Sequence, residues 1–112
     1  METIYIKLLD SSEQIPFVLT YGVHKELQEY LMSSENRLFG IFNDTEISDE
    51  VIRLCLSERN SMGLIITEFV EIQLVMADDM ILLLNLIFDY FSDFFLKHTK
   101  KVQSLTNSLS QN

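Results

Sequence analysis

Asp78-Asp79-Met80-Ile81-Leu82-Leu83-Leu84-Asn85-Leu86-Ile87-Phe88-Asp89-Tyr90-Phe91-Ser92-Asp93-Phe94-Phe95-Leu96-Lys97 is the stretch on which the fold of this 112-residue chain turns. Two carboxylates open it, and Lys97, Lys100 and Lys101 stand toward its end. That polarity complements a helix dipole, and the spacing predicts one helix from about Asp79 to Gln103. At about 100° per residue, Asn85, Asp89, Ser92, Asp93 and Lys97 fall in one narrow polar stripe. The rest of the circumference, about two-thirds of it, is apolar, wider than the stripe a helix on a small monomer buries. Such a helix either runs through the centre of the fold or shares its apolar surface with a second chain. The residues that would present that surface are Leu83, Ile87, Tyr90, Phe91, Phe94 and Phe95.

A membrane span is excluded for this segment. Met80 to Leu96 is interrupted by Asn85, Asp89, Ser92 and Asp93, whereas a span needs about 20 nearly uninterrupted apolar residues. The N-terminus, Met1-Glu2-Thr3-Ile4-Tyr5-Ile6-Lys7, has neither the basic region nor the apolar run of a secretion signal.

Upstream, Ile4–Leu9 and Ile15–Thr20 are β-branched and aromatic runs joined by five polar residues, which predicts a β-hairpin. Pro16 has no N–H to donate and belongs on an edge strand. Gly22 ends the second run. Val23, Leu27, Tyr30 and Leu31 then recur at helical spacing, with Lys25, Glu26 and Glu29 toward water. Ser33 or Ser34 would cap a short helical segment bearing Leu38, Phe39, Ile41 and Phe42, which Gly40 weakens; Asn43-Asp44 reads as a turn. Ser48 is the expected N-cap of a further helix, supported by Asp49 and Glu50, with Ile47, Val51, Leu54 and Cys55 as its apolar stripe and an Asp49–Arg53 pair on its wet side. Asn60-Ser61-Met62-Gly63 would end it, Gly63 taking a left-handed conformation. Residues 64–77 mix strand and helix periods; the alternation of Val70, Ile72, Leu74 and Met76 favours extended structure.

The fold class expected is therefore α+β, mainly α: an N-terminal β-hairpin followed by a small helical domain with a long C-terminal helix. Residues 1–102 would form one compact domain. Residues 103–112, nearly all Gln, Ser, Thr and Asn around Leu105 and Leu109, would form a flexible polar tail.

Charge and chemistry narrow the function. Lys+Arg total 8 and Asp+Glu 17, a net charge of −9 that disfavours nucleic acid and anionic membranes as partners. All the acids precede Lys97, and three lysines follow from it. One cysteine, Cys55, allows no intramolecular disulfide and no Cys/His zinc site, and on an apolar stripe it reads as a small hydrophobe. His24 and His98 are too far apart for a helical ligand pair, and the three glycines form no phosphate loop. Asp78-Asp79 and Asp49-Glu50 are accounted for by helix capping. Neither a catalytic residue, a cofactor nor a metal is expected. Excess apolar surface, with adaptable Met62, Met76 and Met80, points instead to binding protein, including copies of itself.

The order of elements carries a resemblance. A hairpin leads into Val23-His24-Lys25-Glu26-Leu27-Gln28-Glu29-Tyr30-Leu31; a second helix ends in Leu54-Cys55-Leu56-Ser57-Glu58-Arg59-Asn60-Ser61-Met62-Gly63; an acidic-started helix with Asp93-Phe94-Phe95-Leu96-Lys97 closes the chain. This arrangement resembles the tail assembly chaperones of long-tailed bacteriophages, in their short form. The match spans most of the chain and rests on pattern; it departs at Asn60 to Met62, where more charge is expected. The resemblance implies a non-enzymatic chaperone in the host bacterial cytoplasm, missing from the mature virion. Such a chaperone coats the tape measure protein and, through a frameshifted long form, recruits the tail tube protein. Lys100-Lys101 is compatible with an A-rich slippery run at that frameshift. The alternative from another class is a small acidic inhibitor that mimics nucleic acid and binds a basic host protein; a third is an enzyme subunit completed by a partner.

Overall fold

β-Branched residues at alternate positions pair Ile4–Lys7 (β1) antiparallel with Gln14–Phe17 (β2), in the register Ile4–Phe17, Tyr5–Pro16, Ile6–Ile15 and Lys7–Gln14. The computed structural model describes residues 3–34 and 37–110, with side chains in the last helix as far as Lys97. Ile6 and Phe17 point inward and are fully buried, as the period of two requires. Pro16 stands on β2, for which no further partner strand is found among the described residues. β1 is covered on its other side. Leu8 bridges Val75, Met76 N–H donates to Lys7 O (2.9 Å), Leu9 N–H to Leu74 O (2.8 Å), and Lys7 N–H to the Asp79 carboxylate (2.8 Å).

Thr20 caps the first helix, Tyr21–Met32 (α1), accepting from Val23 N–H at 3.4 Å, and Val23, Leu27 and Leu31 form its buried stripe. Gly22 thus sits inside the first turn of α1. Glu26 is drawn from water into an ion pair with Arg59. No serine caps the next segment; Ser33 instead donates to Tyr30 O (2.8 Å) as α1 ends, and Phe39–Phe42 forms a single 3-10 turn.

The second helix, Thr45–Leu56 (α2), begins three residues before the expected Ser48 cap. Asp44 is the N-cap, accepting from Glu46 N–H at 3.0 Å, and Glu46 lies in the first turn. Ser48 is buried one turn in, where its hydroxyl donates to Ile41 O at 2.6 Å and so locks the 3-10 turn onto α2. Both residues are good caps by type; the need to satisfy Ile41 O and to bury Ile41 decided between them. Arg53 pairs with Glu50 and with Glu68 (3.0 Å), not with Asp49, because Glu50 one turn back presents both carboxylate oxygens while Glu68 reaches over from beyond the hairpin. The Glu50 hydrogen bond raises the affinity of the Arg53 guanidinium for its proton. Cys55 lies wholly inside, and burial pushes its thiol pKa far up.

α2 ends at Leu56, ahead of the expected Asn60–Gly63. Those four residues are the turn of a second antiparallel hairpin, Glu58–Arg59 (β3) with Ile65–Thr67 (β4). Asn60 Oδ1 accepts from Met62 and Leu64 N–H (2.9 and 3.1 Å), and Gly63 takes φ +82°. The left-handed glycine is there as expected, in a hairpin rather than a helix end. Extended structure holds for Ile65–Thr67 only; Ile72–Leu74 is another 3-10 turn, bent so that Val75 reaches Leu8. Arg59, with 9% of its side chain exposed, fastens this hairpin, donating to Gly63 O (2.8 Å) and Leu54 O (2.9 Å) besides pairing with Glu26.

Ala77–Ser110 (α3) completes an α+β, mainly α fold of two hairpins and three helices. It starts two residues before Asp79, whose carboxylate reaches β1. The α3 backbone runs on to Ser110, past the expected end at Gln103 and through most of the stretch expected as a tail. Leu83, Ile87 and Phe91 are completely buried against α2, β1 and the Phe39–Phe42 turn.

Two substitutions test this architecture. Asp44→Ala will lower stability in urea titration by about 1 kcal/mol, whereas a change within about 0.5 kcal/mol would return the cap to Ser48. At Gly63, where a Cβ would also lie 3.2 Å from the Gly22 Cα, Ala will cost about 1–2 kcal/mol by the same measurement.

Candidate protein-interaction surface

Three residues per turn decide what the Phe39-Gly40-Ile41-Phe42 segment shows to solvent. In a 3-10 turn, positions i and i+3 eclipse. Leu38 and Ile41 therefore share the inward side and are buried, while Phe39 and Phe42 share the outward side and remain 69% and 49% exposed. On α3, residues seven apart return to nearly the same side. Ile81, Phe88 and Phe95 form such a row; Ile81 and Phe95 are 56% and 50% exposed. The two features meet at Phe88, whose ring centroid lies 6.4 Å from Phe39 and 5.4 Å from Phe42. Phe39, Phe42 and Phe88 thus form one aromatic cluster, with Ile81 and Phe95 exposed two turns to either side of it along α3 (together, the ridge).

This ridge is not the surface expected from sequence. Of the six residues named for it, Leu83, Ile87 and Phe91 are core, fully covered by the chain's own α2 and hairpin. Tyr90 and Phe94 are partly buried around His24. The Tyr90 hydroxyl and His24 Nδ1 are 2.9 Å apart, His24 stacks on Phe91 at 5.5 Å, and it meets Phe94 edge-on at 5.3 Å. That cluster fastens α1 to α3. Only Phe95 is open to solvent. The helix is thus covered along one side, and a row about a quarter-turn to a third of a turn from the buried side stays uncovered. The seven-residue spacing and the i, i+3 spacing of Phe39 and Phe42 were the available signals.

The surroundings are acidic: Asp44, Glu46, Asp49, Asp78, Asp89 and Asp93 are exposed. Elsewhere, an open groove of about 740 Å³ lies between β2, the start of α1 and the second hairpin. Its one buried cation, Arg59, is already held by Glu26 and two carbonyls. Among the described residues, no group of three or more His, Cys, Asp or Glu is placed to hold a metal, and no helix is long and apolar enough to cross a membrane. Comparison with protein families, curated proteins and solved structures finds no match to this chain.

Core and ridge separate experimentally. Phe91→Ala will cost about 3–5 kcal/mol in chemical denaturation, whereas Phe95→Ser will change stability by no more than about 0.5 kcal/mol. Equal losses at the two positions would show that Phe95 is packed as core.

Proposed function

We propose that this chain is a non-enzymatic assembly chaperone, of the kind its element order resembles, which shields the apolar helices of a long client protein until that client is built into a larger structure. The observation that carries this reading is the ridge of exposed Phe39, Phe42, Ile81 and Phe95 around the half-buried Phe88. Large side chains gathered in one row, on elements locked by a buried core, provide a preformed groove-and-ridge contact for an amphipathic helix. A rigid platform loses little conformational entropy on binding, so the apolar burial goes into affinity. The net charge of −9 keeps the chain and a bound client dispersed through mutual repulsion.

In the tail-assembly setting, the client is the tape measure protein, held in the host cytoplasm and released before the virion is finished. A frameshifted longer product would add the contact to the tail tube protein. The ridge lies on the body of the chain, so both products would share it.

Co-expression with the tape measure protein tests the proposal. The wild-type chain will keep that client in the soluble fraction and co-elute with it on size exclusion. The double variant Phe39→Ser/Phe95→Ser, folded by circular dichroism, will leave most of it insoluble. Equal solubilisation by the variant would remove the ridge from the mechanism.

A further inference from the structure

The stretches that carry the ridge are mainly acidic. Residues 38–49, which carry Phe39 and Phe42, include Asp44, Glu46 and Asp49 and no Lys or Arg. Residues 78–96, which carry Ile81, Phe88 and Phe95, include Asp78, Asp79, Asp89 and Asp93 and again no Lys or Arg. Arg37 and Lys97 border these stretches, two cations against seven carboxylates. Arg37 donates to Tyr30 O (3.0 Å) and Ser33 Oγ (2.7 Å) and lies over the Tyr30 ring, and Lys97 pairs with Asp93 at 3.0 Å. Arg53 and Arg59 are tied to glutamates.

From Ile81 to Phe95 the row runs about 21 Å along α3, the length of about four helical turns. Phe39 and Phe42 rise beside its midpoint at Phe88 and make a wall on one side only. A helix laid in that angle buries an apolar stripe beside elements whose exposed Asp44, Glu46, Asp78 and Asp89 make the local field negative. Resting on the ridge as the protein-binding face, we infer that its occupant is a cationic amphipathic helix, with an apolar stripe about four turns long bordered by Lys or Arg. A second copy docked ridge to ridge would bring two net-negative surfaces together, which disfavours it against a cationic partner.

Two synthetic peptides of about twenty residues, with the same Leu/Ile stripe and either Lys or Glu on the flanks, test this against the full chain by fluorescence anisotropy. The Lys peptide will bind about tenfold or more tighter at about 50 mM salt, and the gap will close toward parity at about 500 mM. Phe39→Ser/Phe95→Ser will weaken the Lys peptide about tenfold, and Glu46→Lys/Asp89→Lys will erase the preference while the stripe still binds. Equal affinities for the two peptides would overturn the cationic partner and leave helix binding standing. Binding of neither would overturn the ridge itself as a protein-binding face. Oligomers in sedimentation without peptide, abolished by the ridge variant, would place a second copy there and overturn the inference.

Discussion

Burial of one side of α3 is the constraint from which the rest of the molecule follows. Leu83, Ile87 and Phe91 have no exposed surface. α2 and the Phe39–Phe42 turn pack on the helix, and β1 is stitched to its first turn through Lys7 N–H and the Asp79 carboxylate. His24 clamps it from α1. Among the described residues, two short helices and two small hairpins accompany a helix of 34 residues, and its cover is described as far as Lys97. They cover one side, and the geometry of that packing decides which apolar row is left in water.

The same economy explains how the second hairpin is held. Gly22 and Gly63 approach so closely that a Cβ on Gly22 would lie 2.9 Å from the Gly63 Cα, which brings the Asn60–Gly63 turn against the first turn of α1. That contact places Arg59 beneath Glu26 and lets it satisfy the Leu54 carbonyl at the end of α2, an acceptor that helix termination leaves without an intrahelical partner. A buried cation paired and hydrogen-bonded on several sides is tolerated where an unpaired one would not be. Arg59 is thus spent on structure, and the ridge on α3 is the more distinctive surface.

That ridge combines two opposing properties. Its aromatic groups favour removal from water, while the net charge of −9 adds long-range repulsion between copies of the chain. A protein that must hold an apolar partner without precipitating needs both. The buried Cys55, its thiol held protonated by desolvation, takes no part; it is core.

The chain's own pattern was enough to establish an acidic α+β, mainly α protein with an N-terminal hairpin, an amphipathic helix on Val23, Leu27 and Leu31, and a long closing helix with its polar stripe at Asn85, Asp89 and Asp93. These depend on local periodicity and dipole matching, which are properties of neighbouring residues. The start of α2 was not legible, because Asp44 and Ser48 are equally good caps until Ile41 O claims the Ser48 hydroxyl. The second hairpin was hidden because Asn60 and Gly63 suit a helix end as well as a β-turn. Which apolar residues of α3 face outward was hidden for a related reason: with two-thirds of the circumference apolar, periodicity cannot choose a buried side. Leu83, Ile87 and Phe91 became core, and Ile81 and Phe95 became surface, only when α2 and the Phe39–Phe42 turn docked on one flank, since burial is a matter of what packs alongside and not of the side chain alone.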